Sequence, residues 1–323
     1  MKYYEPADNK TIEEVKSVLK YLCDISGKKI LTGQHTQTIA QEELQLIREK
    51  TGKEPALLGF ELLSYSPNIN YLDTDEECIT EITENLGTLK RAWEWAEKGG
   101  LITFTWHWFS PLGGRSKSFF SANTDFDAKK ALEPGTEEHK ALMSDLDCMA
   151  GLLRPFCDRH IPILWRPFHE SEGNWFWWSA KGPEAAKGLY RLMFDHFTNK
   201  CELHNLIWVW NSPLKSGYPG DDVVDIISRD MYPPAFEYTA HKEEYTGLCE
   251  ITETEKLAAV AETGVLPDPE AIVKENVPWT YYMTWSNEFC LGEKYSTFDQ
   301  LKSVYNSDYS VTADELPRLY KVK

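Results

Sequence analysis

The sequence predicts an α/β protein, a single-domain (β/α)8 TIM barrel over residues 1–323. Three observations predict it. Eight short strand-like runs alternate with helical segments, over a length that suits one large α/β domain. The runs are continuously apolar rather than alternating, as expected of parallel strands buried on both faces. Each run also closes on a polar or aromatic side chain: Gln34, Glu61, His107, Glu170, Asn211, Tyr232, Glu262 and Trp285. In such a barrel the C-terminal strand ends assemble the site. A doubly wound open sheet is the alternative, but no strand is followed by G-x-G-x-x-G or G-x-x-x-x-G-K-S/T.

The elements follow in order. Ile12, Val15, Val18, Leu19 and Leu22 carry helical spacing from Thr11 to Ser26, and Gly27 can stop that helix. Lys29 to His35 is the first strand. A helix from Ala40 to Lys50 closes at Gly52, and Ala56 to Glu61 is the second strand. One long helix is expected from Glu76 to Lys98, ended by Gly99 and Gly100. Leu101 to Trp108 is the third strand, followed by a loop rich in Gly, Ser and Asn to about Pro134. A helix begins at Thr136 and ends before His160. Ile161, Ile163 and Leu164 form the fourth strand, and Pro183 suits the first turn of the next helix, which reaches about Lys200. Leu206 to Asn211 is the fifth strand, and Val223 to Tyr232 contains the sixth. Glu237 to Glu253 is partly helical. Lys256 to Glu262 is the seventh strand and Trp279 to Trp285 the eighth, with short helices at Asp268 to Lys274 and Phe298 to Val304.

Composition narrows the function classes. Hydrophobic residues at 42% supply a large core, and charged residues at 26% are ordinary for a globular chain. A formal charge of −17 repels nucleic acid and anionic lipid, so neither is an expected partner; a neutral substrate is compatible. No run approaches a membrane span. Met1-Lys-Tyr-Tyr-Glu-Pro lacks the form of a signal peptide, so the expectation is a cytoplasmic protein or a catalytic domain excised from a secreted one. The seven cysteines are odd in number and show no C-x-x-C; they read as small buried hydrophobes. No metal or cofactor is expected, because His35, His139, His160, His196, His204 and His241 are scattered without ligand spacing. Aromatics reach 13%, with twelve tryptophans, which fits a wide cleft that is both flat and polar.

The densest chemistry lies between Ile161 and Trp178. An apolar strand ends in Arg166, His169 and Glu170, groups that cost several kcal/mol to bury unpaired. Trp175, Phe176, Trp177 and Trp178 follow. A flat aromatic face beside a carboxyl group suits a sugar ring, whose C–H face packs on an indole while its hydroxyls need polar partners. A second carboxylate, Glu262, closes the seventh strand. Two carboxyls about 5–5.5 Å apart support glycoside hydrolysis with retention. One attacks the anomeric carbon, and the other donates a proton to the leaving oxygen. Different environments must hold their pKa values apart. Glu170, among Trp175, Trp177 and Trp178, is placed to stay protonated; Glu262 needs donors, and Arg166 and Tyr232 are the candidates. Trp208 and Trp210 read as barrel filling, Glu172 as solvated loop, and Glu61 and Asn211 as mouth residues without an assigned role.

Trp-Arg-Pro-Phe-His-Glu at 165–170, with Gly173-Asn-Trp-Phe-Trp-Trp178 after it, resembles the motif of glycoside hydrolase family 26. Ala261-Glu-Thr-Gly264, Thr105-Trp-His107-Trp108, Asp230-Met-Tyr232 and Thr284-Trp285-Ser286 match further family segments, in order, from about Thr32 to Ser286. The resemblance implies a retaining endo-acting β-glycanase, most often an endo-β-1,4-mannanase, with a β-linked polysaccharide or oligosaccharide as substrate. It implies Glu170 as acid/base and Glu262 as nucleophile. It places His107 in the −1 subsite, His169 against the nucleophile or the sugar 2-hydroxyl, Trp285 under the −1 sugar and Trp175 at +1. It also implies that Tyr232 bonds Glu262 and is held in turn by Asp230. Some mannanases of the family carry Arg where this chain has Ser286, which leaves the −2 subsite and the glycan open. Mixed-linkage β-glucan and β-1,3-xylan are the alternative substrates, and a non-catalytic glycan-binding barrel is the alternative class.

Overall fold

The computed structural model describes residues 1–36 and 39–323. Eight parallel strands among them close into a barrel in sequence order. They are β1 (Gly33–Thr36), β2 (Leu57–Glu61), β3 (Leu101–Thr105), β4 (Ile163–Arg166), β5 (Leu206–Asn211), β6 (Ile226–Met231), β7 (Leu257–Thr263) and β8 (Tyr282–Thr284). Nearly every strand residue is buried, which explains the uninterrupted apolar runs: one face fills the barrel and the other meets the helices.

The first predicted strand divides in two. Ile30–Leu31 pairs outside the barrel with Ser310–Val311, while Gly33–Thr36 pairs with β2 and, through Gln34 and Thr284, with β8. Gln34 therefore does not serve the mouth. Its amide donates to the carbonyls of Thr284 and Trp285, both at 3.1 Å, and stitches the closing seam.

After α1 (Glu13–Ile25) and α2 (Glu42–Thr51), the long helix expected from Glu76 to Lys98 is two helices, α3 (Glu76–Glu84) and α4 (Thr88–Glu97). Gly87 separates them in a left-handed conformation (φ 81°) that glycine adopts without a Cβ penalty. Asp75 caps α3 by accepting from Cys78 N, and Thr136 caps the long helix α6 (Glu137–Asp158) by accepting from His139 N. A single turn, α5 (Ala128–Ala131), interrupts the loop after β3, and α7 (Pro183–Asp195) starts with proline in its first turn as predicted.

Trp208 and Trp210 do not fill the barrel. They point outward from β5 and pack edge-on against Tyr190 of α7, at 5.7 and 5.3 Å between ring centres. The alternate residue, Asn211, faces the mouth instead. Near the β1–β8 seam Gly33 and Gly59 leave room in the barrel interior for the side chains of His35 and Met283. A Cβ on Gly33 would lie 2.1 Å from the carbonyl oxygen of Tyr282, and one on Gly59 would lie 2.7 Å from the His35 ring.

The backbone carbonyl at Tyr282 cannot yield as a flexible side chain can. Gly33→Ala is therefore expected to destabilise the fold by about 3 kcal/mol, read as a lower midpoint in urea denaturation. Ala at Gly52, where the structure shows no atom within 4 Å of an added Cβ, meets only the cost of its left-handed φ of 72°.

Candidate active site

Arg166, the last residue of β4, is the hub of the barrel mouth. Its side chain is buried, and its two terminal nitrogens serve three strands. Nη1 donates to both carboxylate oxygens of Asp230, at 3.0 and 2.7 Å, on β6. Nη2 donates to Glu262 Oε2 at 2.8 Å on β7 and to Thr105 Oγ1 at 2.9 Å on β3. Burial disfavours the guanidinium charge, but Asp230 and Glu262 outweigh it and hold the group firmly protonated.

Glu262 reaches this hub because β7 is irregular. Arg229 pairs with Val260 and Asp230 with Glu262, so Ala261 is an extra residue, a bulge that re-aims the following side chain. The phenol of Tyr232, one residue past β6, donates to Glu262 Oε1. The expected donors, Arg166 and Tyr232, both engage Glu262. Asp230 does not hold Tyr232 as the resemblance implied. It is taken by Arg166 and by Asn211 Nδ2 at 2.7 Å.

Glu170 lies in a tight turn beyond β4. Phe168 and Glu170 both adopt left-handed φ values of 52°, strained for residues with side chains. Three contacts hold the turn. Asn211 Oδ1 accepts from Glu170 N at 2.7 Å, Trp178 Nε1 donates to the His169 carbonyl at 2.9 Å, and the Ser171 hydroxyl donates to the Phe168 carbonyl. The Glu170 carboxylate itself accepts from Trp175 Nε1 at 2.8 Å. Of the three tryptophans expected around it, only Trp175 bonds it. Trp177 and Trp178 are buried, with their N–H groups on the carbonyls of Trp108 and His169.

One carboxylate oxygen from each of Glu170, Asp230 and Glu262 lies within 4.8 Å of the others. Burial, then Asp230, push the Glu170 carboxyl up to about 7 against the Trp175 bond. Burial and Asp230 likewise push Glu262 up to about 8, against Arg166 and with a further push from Glu170. Three carboxyls and one guanidinium in a buried space hold a proton near neutral pH.

On one side of the carboxyls stand the histidines. His107 Nδ1 meets Glu61 Oε2 at 2.7 Å, and His107 Nε2 meets His169 Nε2 at 3.2 Å. The ring nitrogen of His169 thus meets His107, not Glu262. Trp285, half-buried, stacks on His35 with 4.1 Å between ring centres and presents toward the edge of His107 at 6.1 Å. Beyond it a cavity of about 300 Å³ is lined by Lys117, Phe119, Asn287 and Phe289 among others. Lys117 is anchored there by Glu77 and Glu81, at 2.8 and 2.9 Å. On the other side Trp175 is 42% and Tyr232 46% exposed.

Sequence reasoning left Glu61 and Asn211 without roles, yet both hold mouth residues in place. Their position as last residues of apolar strands was the signal. The scattered histidines include one convergence away from the mouth: Asp147, His196 and Cys201, with His196 Nε2 2.7 Å from Asp147.

The sequence model of glycosyl hydrolase family 26 matches residues 7–315. A mannan endo-1,4-β-mannosidase of Thermothelomyces thermophilus is 36% identical over 309 residues, 93% of this chain and 61% of that protein. Mannan endo-1,4-β-mannosidase A of Piromyces sp is 31% identical, over 95% of this chain and 50% of the relative. The chain thus spans about half to three fifths of their length. The crystal structure of a GH26-CBM35 β-(1,4)-mannanase from Podospora anserina superposes with a TM-score of 0.87 at 34% identity, covering 96% of this chain and 68% of that one. That of a β-mannanase from a symbiotic protist of the termite Reticulitermes speratus, complexed with gluco-manno-oligosaccharide, gives 0.86 at 29% identity over 97% of both chains.

Removing the hub cation leaves Asp230 and Glu262 buried without their partner. Arg166→Met is expected to cost about 3–5 kcal/mol in urea denaturation, and more than Asp230→Asn, which leaves Arg166 its bond to Glu262.

Proposed function

The chain belongs to glycosyl hydrolase family 26, and from that premise we propose that residues 1–323 form a single catalytic domain, a retaining endo-β-1,4-mannanase. Its substrates are mannan, glucomannan and galactomannan. The observation that carries the proposal is the pairing of Glu170 and Glu262 within 4.8 Å, with unequal donors. That approach suits direct attack by one carboxylate, whereas inversion needs about 6.5–9.5 Å to admit a water.

The donors support the division of roles. Taken singly, Glu262 stands the higher of the two, through its deeper burial. The pair shares its proton, however, and titrates as a unit. The proton resides where the anion has the weaker support. Glu262 receives a charge-assisted bond from Arg166 and a phenol bond from Tyr232; Glu170 receives one neutral indole N–H. Glu262 is then the anion that attacks the anomeric carbon, forming a glycosyl ester as the bond to the leaving oxygen breaks. Glu170 delivers its proton to that oxygen. Water, deprotonated by Glu170, then attacks the anomeric carbon, breaks its bond to Glu262 and, by this second inversion, restores the original anomeric configuration.

The sugar subsites follow from the surfaces. The Trp285 ring supplies a floor for the −1 sugar, with His107 and His169 beside its hydroxyls. Trp175 supplies a flat +1 platform. The mannan assignment draws support from relatives that carry mannan endo-1,4-β-mannosidase names and from the neighbour complexed with gluco-manno-oligosaccharide.

Two measurements test this reading. Glu262→Ala should lower turnover on mannan on the order of 10⁴-fold while oligosaccharide binding, read by calorimetry, persists. Assayed side by side, galactomannan and glucomannan should be cut with release of the β-anomer. Faster cutting of barley β-glucan or β-1,3-xylan would replace the substrate, and binding without cutting on every polymer would leave a glycan-binding barrel.

The rate should also follow a bell in pH. Glu170 acts only while protonated, so kcat/KM falls as pH rises through about 7 to about 8, where the pair gives up its shared proton. On an aryl glycoside whose leaving group needs no proton, that alkaline limb should vanish in Glu170→Gln.

A further inference from the structure

Beside the −1 floor lies a chain of three side chains that take no part in the bond-making steps above. Glu61, at the tip of β2, is fully buried, yet its carboxylate is ringed by donors. Oε1 accepts from the backbone N–H groups of Leu63 at 2.9 Å and His107 at 2.8 Å, and Oε2 meets His107 Nδ1 at 2.7 Å. Such a set of donors pins the Glu61 carboxylate in one orientation. The chain continues from His107 Nε2 to His169 Nε2 at 3.2 Å, the rings standing edge-to-face at 74°.

Two nitrogens at that distance share one proton, so one ring donates and the other accepts. Charge balance decides which. Of the buried carboxyls at this end of the barrel, Glu61, Asp230 and Glu262 are the ones that act on His107. The guanidinium of Arg166 is committed to the last two and to Thr105. Among the described residues no Lys or Arg bonds Glu61, and an uncompensated buried carboxylate costs several kcal/mol. His107 is the contacting group able to supply the missing positive charge.

We propose that Glu61 is a positioning residue that holds His107 as an imidazolium, whose Nε2–H donates to His169 and thereby fixes the ring next to Glu170. His169 then carries its proton on Nδ1 and accepts at Nε2. It sits between Phe168 and Glu170, both in left-handed conformations, with its carbonyl held by Trp178. Glu61 thus acts through two imidazoles on the turn that presents Glu170.

The groups facing His107 agree with this distribution. Burial opposes its charge, Glu61 restores it, Glu262 adds to that and Arg166 subtracts, leaving it above the ordinary histidine range. Burial, His107 and Arg166 keep His169 neutral, with His35 adding to the effect. His35, its ring nitrogens unpartnered against Trp285, is held neutral by burial, Arg166 and His107. Asp230 faces the same space from β6.

The kinetic consequence rests on the hydrolase reading above; the protonation pattern does not, so the two fail separately. The test is ring-nitrogen NMR of the full chain labelled with 15N-histidine, without substrate, from pH 5 to 9, the signals assigned with His107→Gln and His169→Gln. At pH 7, His107 should show two protonated ring nitrogens and His169 one. In Glu61→Gln the His107 midpoint should fall by about one to three pH units, and Glu61→Asp should restore part of that. Turnover on mannan in Glu61→Gln should fall up to about 100-fold with KM little changed. A neutral His107 at pH 7 in the unaltered protein, or a midpoint indifferent to Glu61→Gln, overturns the proposal. Should Glu61→Gln not fold, the spectrum of the unaltered protein decides alone. Normal protonation with no hydrolysis of any glycan would sink the hydrolase reading and leave this one standing.

Discussion

One buried cation sets the terms for the mouth of this barrel. Arg166 reaches from β4 to β3, β6 and β7, so four of the eight strand tips are fixed relative to one another by a single planar group. Its fork geometry matters: one nitrogen takes Asp230 in a two-oxygen grip while the other is left for Glu262. A lysine would supply the charge but not the angles. Asp230 in turn takes Asn211, and Asn211 takes the backbone of Glu170. The Glu262 carboxylate and the Glu170 backbone are therefore opposite ends of one hydrogen-bonded path that runs through the guanidinium.

Neither carboxyl is delivered by regular backbone. Glu262 arrives through a bulge in β7, and Glu170 through a turn with two non-glycine residues at positive φ. Conformations of that kind cost about 1–3 kcal/mol each and persist only where their surroundings over-determine them. Here the surroundings are named: Asn211, Ser171 and Trp178 about the turn, Arg166 and Tyr232 about the bulge. A regular strand offers side chains spaced by two residues on each face. Departing from it brings carboxyls from β4 and β7 into one small space.

The barrel was legible because burial on both faces leaves a plain trace: apolar runs, each ending in a polar side chain. Its finer divisions were not. The apolar spacing of Glu76 to Lys98 continues across Gly87 and hides the break, which needs only one residue with a left-handed backbone. The outward aim of Trp208 and Trp210 followed from the phase of β5, which the continuous apolar run conceals until Asn211 is known to face inward. At the mouth, Glu170, Glu262, Arg166 and Tyr232 were visible as chemistry, but their partners were not. Asp230 pairs with Arg166 across 64 residues of chain, and Glu61 with His107 across 46. Such pairings are set by strand order and register, which local sequence does not contain.

The tryptophans divide unequally between core and water. Among twelve, Trp175 alone is more than about a third exposed; Trp93 and Trp285 are intermediate and the others are buried. A water-borne quencher thus meets chiefly one indole, and that indole's N–H lies on Glu170. The long-wavelength edge of the protein's intrinsic fluorescence is in effect a lamp hung at the cleft, lit or shaded by whatever rests there.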